Sequence, residues 1–123
     1  MPRILVAEDE KDIRELIAFT LRFAGFDVLL ASNGAEAVEV AEAERPDLVI
    51  LDVRMPKMSG YEACRRLKEN PQTASLPVVF LSAKGQDSEI QQGLESGAEE
   101  YILKPFAPDE LIQQVRDILN RHT

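Results

Sequence analysis

Polar side chains follow four short apolar runs of this 123-residue sequence, and their types could together perform chemistry. Glu8 and Asp9 follow ILVA, Asp52 follows LVIL, Ser82 follows VVFL, and Lys104 follows YIL. Carboxylates bind divalent cations or act as nucleophiles, a hydroxyl donates a hydrogen bond, and an ammonium neutralises anionic oxygens. These groups can work together only if the fold brings them to one place.

Five apolar runs, mostly rich in β-branched residues, alternate with amphipathic stretches. The runs predict strands buried on both faces, at 4–7, 26–31, 47–53, 76–83 and 100–104. The stretches predict helices from Asp9 to Gly25, at 35–44, 59–69 and 87–96, and from Pro108 onward. This alternation is typical of an α/β fold with a parallel sheet and helices on both faces. Ligands bind such sheets at the carboxyl ends of the strands, so we expect the polar groups to converge there.

Periodicity also predicts which side chains face inward. On the first helix we expect the buried stripe Ile13, Leu16, Ile17, Thr20 and Ala24. Three phenylalanines should pack in or near the core, namely Phe19, Phe23 and Phe26. Cys64 is predicted to be a small core residue. The glycines at 34, 60 and 97 are predicted to be turn or cap residues.

Length and composition limit the class of protein. The chain has the size of one domain, spanning 1–123, and no apolar run approaches the ~18 residues of a membrane span. Fourteen basic against twenty-two acidic residues give a net charge of −8, which disfavours direct binding to nucleic acid or an anionic membrane. A single cysteine and the lack of a secretory pattern at the N-terminus predict a cytoplasmic protein without disulfides.

Clustered carboxylates repel each other unless a cation joins them, and Mg²⁺ suits a site of carboxylates, a carbonyl and water. A cation, a lysine and a hydroxyl are also what a transferring phosphoryl group needs, and an aspartate can accept that group. Each residue also has a plainer interpretation. Asp9 could cap the first helix, Asp52 could open a turn, Ser82 could bond to backbone, and Lys104 could be a solvated charge. The presence of all four residues at the ends of predicted strands favours a common site.

Four sequence blocks in this order and spacing resemble the receiver domain of bacterial two-component response regulators, including chemotaxis receivers. They are ILVAEDE, LDVRMPKMSG, VVFLSAKG and GAEEYILKPF, and the resemblance extends over essentially the whole chain. It implies a flavodoxin-like (βα)5 three-layer sandwich with a five-stranded parallel sheet of order 2-1-3-4-5.

The resemblance also implies roles for individual residues. Asp52 would be the phosphoacceptor, with Lys104 pairing with the phosphoryl oxygens and Ser82 bonding to the phosphoryl group. Mg²⁺, with Mn²⁺ as a substitute, would be held by Asp9, Asp52 and the backbone carbonyl of Arg54, with Glu8 acting through water. Ser82 and Tyr101 would form the switch, and a cis peptide bond is expected before Pro105.

The function implied is a phosphorylation-activated signalling switch that catalyses its own phosphorylation and dephosphorylation. The phosphoryl donor would be the phosphohistidine of a sensor kinase or phosphotransfer protein. A downstream effector, a second receiver or a phosphorylation-dependent homodimer partner would bind the face made by the fourth helix, fifth strand and fifth helix. Its outward residues include Glu89, Gln92, Glu95, Glu99, Gln113, Arg116 and Asn120.

Two residues depart from the commonest family pattern. Glu8 stands where an aspartate is frequent, which leaves the metal affinity open, and Ser82 replaces the common threonine while keeping the hydroxyl. Arg54 and Lys84 lie two residues beyond Asp52 and Ser82; they either modulate water access to the phosphoryl group or are ordinary surface cations.

Three other classes of protein fit these residues less well. A haloacid-dehalogenase-type phosphatase would need an aspartate where Arg54 stands, and an electron-carrying flavodoxin would need a phosphate loop where AEDEKD stands. A phosphorylation-independent interaction module is the remaining alternative. The residues leave open whether the chain is a stand-alone receiver or part of a longer regulator with an output domain.

Overall fold

The computed structural model describes residues 2–83, 100–104 and 106–122. Within them the strands are β1 (Arg3–Ala7), β2 (Asp27–Ala31), β3 (Leu48–Asp52), β4 (Val78–Ala83) and β5 (Glu100–Lys104). The helices are α1 (Lys11–Phe23), α2 (Gly34–Glu44), α3 (Gly60–Glu69) and the C-terminal helix (Pro108–Arg121). The helix predicted at 87–96 lies outside the described residues. Every other predicted element is present within a few residues of its expected ends.

The five strands form one parallel sheet in the order β2-β1-β3-β4-β5, which confirms the predicted fold class. Its register aligns the carboxyl ends of the strands. Ala7, the last residue of β1, pairs with Ala31 of β2 and with Leu51 of β3. Asp52 pairs with Leu81 of β4, and the next two residues of β4 pair with Leu103 and Lys104. The register therefore places the predicted site residues along one edge of the sheet.

Side chains alternate between the two faces of each strand, and each face supports a separate buried layer. Between the sheet and α1 with the C-terminal helix lies an aliphatic layer, which includes Ile4, Val6, Ile17, Leu21, Ile50, Leu81, Leu111, Val115 and Ile118. Between the sheet and α2 with α3 lies an aromatic layer, which includes Ala7, Ala37, Ala41, Leu51, Tyr61, Ala63, Cys64, Leu67 and Phe80. This is the predicted three-layer arrangement.

The inward face of α1 was predicted only in part. Ile17 and Leu21 are fully buried and Thr20 nearly so, but Leu16 is half exposed. Phe19 and Phe23, which were expected in the core, are 69% and 83% exposed, and their rings stack with centroids 6.5 Å apart. At 100° per residue, a position two residues from Ile17 or Leu21 lies on the opposite side of the helix. The expectation for these two phenylalanines was therefore wrong.

Two of the predictions about single core residues are confirmed. Phe26 is 8% exposed and belongs to the aliphatic layer, and Cys64 is fully buried in the aromatic layer. The predicted stop of α1 is confirmed as well, because Gly25 follows its C-cap with a φ of 98°. In the part of the chain that the structure describes, no helix has both the length and the apolar character that a membrane crossing requires.

Candidate functional site

Three carboxylates meet at the carboxyl edge of the sheet, as predicted. One oxygen from each of Glu8, Asp9 and Asp52 can be chosen so that all three lie within 4.8 Å of one another. Glu8 is fully buried and Asp52 is 5% exposed, whereas Asp9 faces solvent. Buried carboxylates this close together repel strongly unless a cation shares them, and an all-oxygen donor set suits a hard divalent cation. The residues therefore fit a cation such as Mg²⁺.

Glu8 is held in place by backbone contacts at the end of β1. Its N–H donates to the carbonyl of Ala31 at 3.1 Å, and its own carbonyl accepts from Nη1 of Arg14 at 2.8 Å. The Glu10 N–H donates to the Glu8 carboxylate at 3.2 Å. Sequence reasoning missed the role of Arg14, because on an amphipathic helix a half-buried arginine looks like any surface cation. The acidic segment is thus fixed by both β2 and α1.

Asp52 is fixed by the strand that carries it and by the next two amides. The Val53 N–H donates to the Leu81 carbonyl at 3.1 Å, which continues the β3–β4 pairing beyond the end of β3. The Arg54 N–H donates to Oδ1 of Asp52 at 3.3 Å, so this carboxylate does begin a turn. The turn interpretation is therefore correct for Asp52, and the same carboxylate also belongs to the acidic cluster. The Arg54 side chain itself is exposed.

The plainer interpretation of Asp9 as a helix cap is wrong. α1 begins at Lys11, its N-cap residue is Glu10, and no side chain caps it. Asp9 lies before the N-cap, where its carboxylate joins those of Glu8 and Asp52. This position makes a role in the acidic cluster the better explanation for Asp9.

Ser82 and Lys104 lie on the neighbouring strands at the same edge. Ser82 is fully buried on β4, one residue beyond the partner of Asp52. Lys104 ends β5 and pairs with Ala83, which follows Ser82. The hydroxyl residue and the lysine thus occupy adjacent register positions beside the carboxylate cluster. Two other predicted residues, Lys84 and Pro105, lie outside the described residues.

An aromatic row runs along the sheet face that carries Ser82. Phe80 lies two residues before Ser82, so both side chains point to the same face. The Phe80 ring centroid is 5.2 Å from that of Tyr61 and 5.5 Å from that of Tyr101. Tyr101 is only partly buried. The predicted switch residue therefore packs against the aromatic layer while part of its side chain still reaches solvent.

Gly60 was expected to serve as a turn or cap residue, but it is needed for space. A Cβ atom on Gly60 would lie 2.3 Å from the carbonyl oxygen of Asp52, closer than real Cβ atoms approach other heavy atoms. Its N–H donates to the Val53 carbonyl at 3.1 Å, and Ser59 caps α3 by accepting from the Glu62 N–H. Because α3 begins against the backbone of Asp52, only a residue without a side chain fits at this position.

Cys64 lies on α3 within the aromatic layer and takes no part in the site. Burial raises the pKa of its thiol from 9.0 to about 11, although Lys68 and Arg65 act weakly in the other direction. The thiol therefore stays protonated near neutral pH, as a structural core residue should.

The family comparison agrees with this geometry. The model of the response regulator receiver domain matches residues 4–116. The chain therefore belongs to the family of response regulator receiver domains, the phosphorylation-activated switches of two-component systems.

Individual relatives are similar over nearly the whole chain. It is 44% identical to the phosphate regulon transcriptional regulatory protein PhoB of Pseudomonas aeruginosa over 118 residues, which are 96% of this chain and 52% of PhoB. It is 40% identical to the DNA-binding dual master transcriptional regulator RpaA of Synechocystis over 98% of this chain and 50% of RpaA. The chain thus spans about half the length of these relatives.

A solved structure gives the same result for the fold. The receiver domain of the sensor histidine kinase PA1611 from Pseudomonas aeruginosa superimposes with a TM-score of 0.86 at 31% identity, covering 98% of this chain and 95% of that one. That crystal structure has a magnesium ion coordinated in its active-site cleft.

Proposed function

We propose that Asp52 accepts a phosphoryl group from the phosphohistidine of a sensor kinase or phosphotransfer protein. The observation that carries this proposal is the meeting of the Glu8, Asp9 and Asp52 carboxylates, with Ser82 and Lys104 at adjacent strand ends. An oxygen of the Asp52 carboxylate forms the new bond to phosphorus as the phosphorus–nitrogen bond of the donor breaks. The electron pair of that bond stays on the imidazole, which takes up one proton from solvent, and the products are an aspartyl phosphate and a neutral histidine.

Hydrogen bonds around Asp52 hold its carboxylate in a set position for attack on phosphorus. Its strand is paired on both sides, and the amides of Val53 and Arg54 hold the start of the following loop. Lys104 neutralises charge on the phosphoryl oxygens, and the Ser82 hydroxyl donates a hydrogen bond to one of them. The same groups then support attack of water on the aspartyl phosphate, which returns the domain to its resting state.

Mg²⁺ is the proposed cofactor, with Mn²⁺ as a substitute. Asp9, Asp52 and the Arg54 carbonyl would be direct ligands, and Glu8 would act through water. When bound, the metal neutralises the carboxylates and the incoming phosphoryl oxygens. The magnesium ion in the related PA1611 receiver supports this assignment. Its affinity in this chain depends on how the longer Glu8 side chain orders that water.

The switch begins at Ser82 and ends at Tyr101. A phosphoryl group adds about −1.5 to −2 charges and three acceptor oxygens, which attract the Ser82 hydroxyl and Lys104. Movement of β4 toward Asp52 leaves space beside Phe80, and Tyr101 turns inward to fill it. Tyr101 is the residue expected to respond because its ring centroid lies 5.5 Å from that of Phe80. By the family resemblance, Arg54 and Lys84 would regulate the lifetime of the phosphoryl group by controlling the access of water.

The output surface is proposed to be the face of the fourth helix, β5 and the C-terminal helix. The prediction for Gln113 and Arg116 was wrong, because they line a depression beside Phe23 and Ala24 of α1. Gln114 and Arg121 are the residues of the C-terminal helix that lie beside β5, since both bond to Glu100. Asn120 is exposed, and the 87–96 segment lies outside the described residues. The partner would be a downstream effector, a second receiver or another copy of the chain. RpaA is a DNA-binding regulator, but the acidic net charge of this chain supports contact with nucleic acid through a separate domain and not directly. We expect the domain to act in the cytoplasm.

The test of this proposal is mass spectrometry of the intact protein after incubation with acetyl phosphate and Mg²⁺. Wild-type protein should gain one phosphoryl group in a form that hydroxylamine removes, whereas Asp52→Asn should gain none. Asp27→Asn is the matched control, because Asp27 is an exposed carboxylate at the opposite edge of the sheet. Phosphorylation of Asp52→Asn at the wild-type rate would exclude Asp52, and an unmodified wild type would favour a phosphorylation-independent module.

A further inference from the structure

Gly34 is the first residue of α2, and it contacts the loop that follows Asp52. A Cβ atom on Gly34 would lie 2.0 Å from the carbonyl oxygen of Met58 and 2.9 Å from the Met58 Cβ, both closer than real Cβ atoms approach. Among the described glycines only Gly25 has a left-handed φ, so the reason for glycine at position 34 is space and not backbone conformation. Any larger residue must push α2 and the loop apart.

The start of α2 is held firmly and cannot easily give way. The Asn33 side chain accepts from the Glu36 N–H at 2.8 Å, and the Glu36 carboxylate accepts from the Ser32 N–H at 3.0 Å. These two bonds form a reciprocal cap. The Asn33 side chain binds an amide in the first turn of the helix, and the Glu36 side chain binds an amide that precedes the helix. Ala37 and Ala41 are fully buried in the aromatic layer, so the helix already lies as close to the sheet as its side chains permit.

The loop that Gly34 contacts is closed at its base and strained at its tip. At the base, the Gly60 N–H bonds to the Val53 carbonyl, and Gly60 lies against the Asp52 backbone. At the tip, the Met58 N–H donates to the Pro56 carbonyl at 2.7 Å, and Lys57 has a φ of 68°. A γ-turn with positive φ is rare, and it persists only where surrounding structure maintains it. The carbonyl that Gly34 contacts belongs to the last residue of this turn.

We propose that Gly34 is a positioning residue for phosphoryl transfer at Asp52. By lying against the Met58 carbonyl, it holds the closed loop whose Arg54 carbonyl is the proposed third metal ligand. A shift at Met58 passes to Val53 and Asp52 through Gly60, because the loop has no free end. The catalytic consequence rests on the proposed function, whereas the position of the loop can be tested without it.

The direct test is Gly34→Ala. Relieving a contact of 2.0 Å to the 3.0 Å limit requires a movement of about 1 Å, and a misplacement of that size costs up to about 100-fold in rate. We expect Gly34→Ala to bind Mg²⁺ at least roughly tenfold more weakly. A titration that monitors the amide resonances of residues 54–60 measures this affinity. Phosphorylation of Asp52 by acetyl phosphate should slow by a similar factor.

Gly25→Ala is the matched control for a general loss of stability. Gly25 requires its positive φ at the end of α1, so alanine there strains the fold without touching the loop after Asp52. We expect Gly25→Ala to unfold at a lower denaturant concentration but to keep wild-type Mg²⁺ affinity and phosphorylation rate. If Gly34→Ala behaves like Gly25→Ala in both assays, Gly34 has only a structural role and the inference is overturned.

Two further measurements separate this inference from the proposed function. If wild-type protein shows no response to Mg²⁺, the proposed function fails, and the metal-free amide spectra decide the inference alone. Amide shifts at residues 54–60 in Gly34→Ala but not in Gly25→Ala support the inference, and the absence of these shifts overturns it.

If Gly34→Ala does not fold, Asn33→Ala is the replacement variant, because loss of the cap loosens the start of α2 without a clash. It must then shift the same amides, and unchanged amides overturn the inference.

Discussion

The two layers that sandwich the sheet are packed in different ways. The aliphatic layer is filled almost entirely by isoleucine, leucine and valine from β-strands, α1 and the C-terminal helix. The aromatic layer also contains leucines and valines, but it adds alanines, a cysteine, Tyr61 and Phe80, and Tyr101 packs at its margin. Branched aliphatic side chains fill space in few conformations, whereas alanine and glycine let backbones approach closely.

This difference matches what each layer has to do. The aliphatic layer fixes the strands. Glu8 and Asp52 extend from its edge, two residues beyond Val6 and Ile50 on the same face of their strands. The aromatic layer lies beneath the loop after Asp52 and along the row from Tyr61 to Tyr101. Its close contacts include glycine against backbone, at Gly34 and Gly60, and ring against ring. We infer that the first layer determines stability and that the second transmits the state of the site.

The largest expected effect is on the aliphatic layer, from Ile17→Ala on α1. Ile17 is fully buried, and removing its side chain should lower the free energy of unfolding by about 2–5 kcal/mol through lost burial and a cavity. Urea unfolding measures this loss, and Mg²⁺ affinity should stay at the wild-type value. A change in Mg²⁺ affinity in the folded variant would contradict the separation of the two layers.

The second-largest expected effect is the contribution of Cys64, in the aromatic layer, to the pH dependence of stability. Folding raises the pKa of the thiol from 9.0 to about 11, so the folded state favours the protonated form. This stabilisation is complete below pH 9 and is lost as pH rises through 11, by up to roughly 3 kcal/mol.

Cys64→Ala isolates that contribution from the other groups that titrate at high pH. Near pH 7 the variant should be less stable than wild type by about 1 kcal/mol because it loses the buried sulfur. The difference should shrink or reverse between pH 9 and 11 in urea unfolding curves. A difference that stays constant with pH would mean that the thiol is not buried in solution.

Phe80→Leu should have a smaller effect on stability but a specific effect on the switch. It removes the ring contacts with Tyr61 and Tyr101 while keeping an apolar side chain. The free energy of unfolding should therefore fall by about 1–2 kcal/mol. The Tyr101 ring resonances should shift, and their response to the phosphate mimic beryllofluoride should change. A wild-type response at Tyr101 would show that Phe80 is only a core residue.

The smallest effect is expected from Phe19→Ala, on the same helix as Ile17. Although phenylalanine is the larger residue, Phe19 is 69% exposed, so its removal should change stability by no more than about 0.5 kcal/mol. The same urea experiment compares the two variants directly. A loss above about 1 kcal/mol would place Phe19 in a packed environment and weaken the distinction between the two sides of α1.

The alternation of elements predicted the parallel sheet and the meeting of Glu8, Asp9 and Asp52, because parallel strands in register bring their carboxyl ends to one edge. The strand order was predicted from the family resemblance alone. The sequence did not predict that Phe19 and Phe23 face solvent, since a phenylalanine on an amphipathic helix is ordinarily taken as core. It did not predict the contact of Gly34 with Met58, because that distance depends on how closely a helix lies against a loop remote in sequence. The Arg14 contact to the Glu8 carbonyl was missed for a related reason, since it joins a helix to a strand end.

The cluster of three carboxylates has a consequence for the heat stability of the domain. Folding brings Asp52 to the adjacent pair Glu8 and Asp9, and the repulsion among the three carboxylates opposes folding in the absence of a cation. A cation that binds only the folded state adds about 2.7 kcal/mol of stability at a hundredfold excess over its dissociation constant. The chain has no tryptophan to report binding by fluorescence, but its melting temperature should rise with cation concentration. Thermal denaturation is therefore a direct, label-free assay of this site.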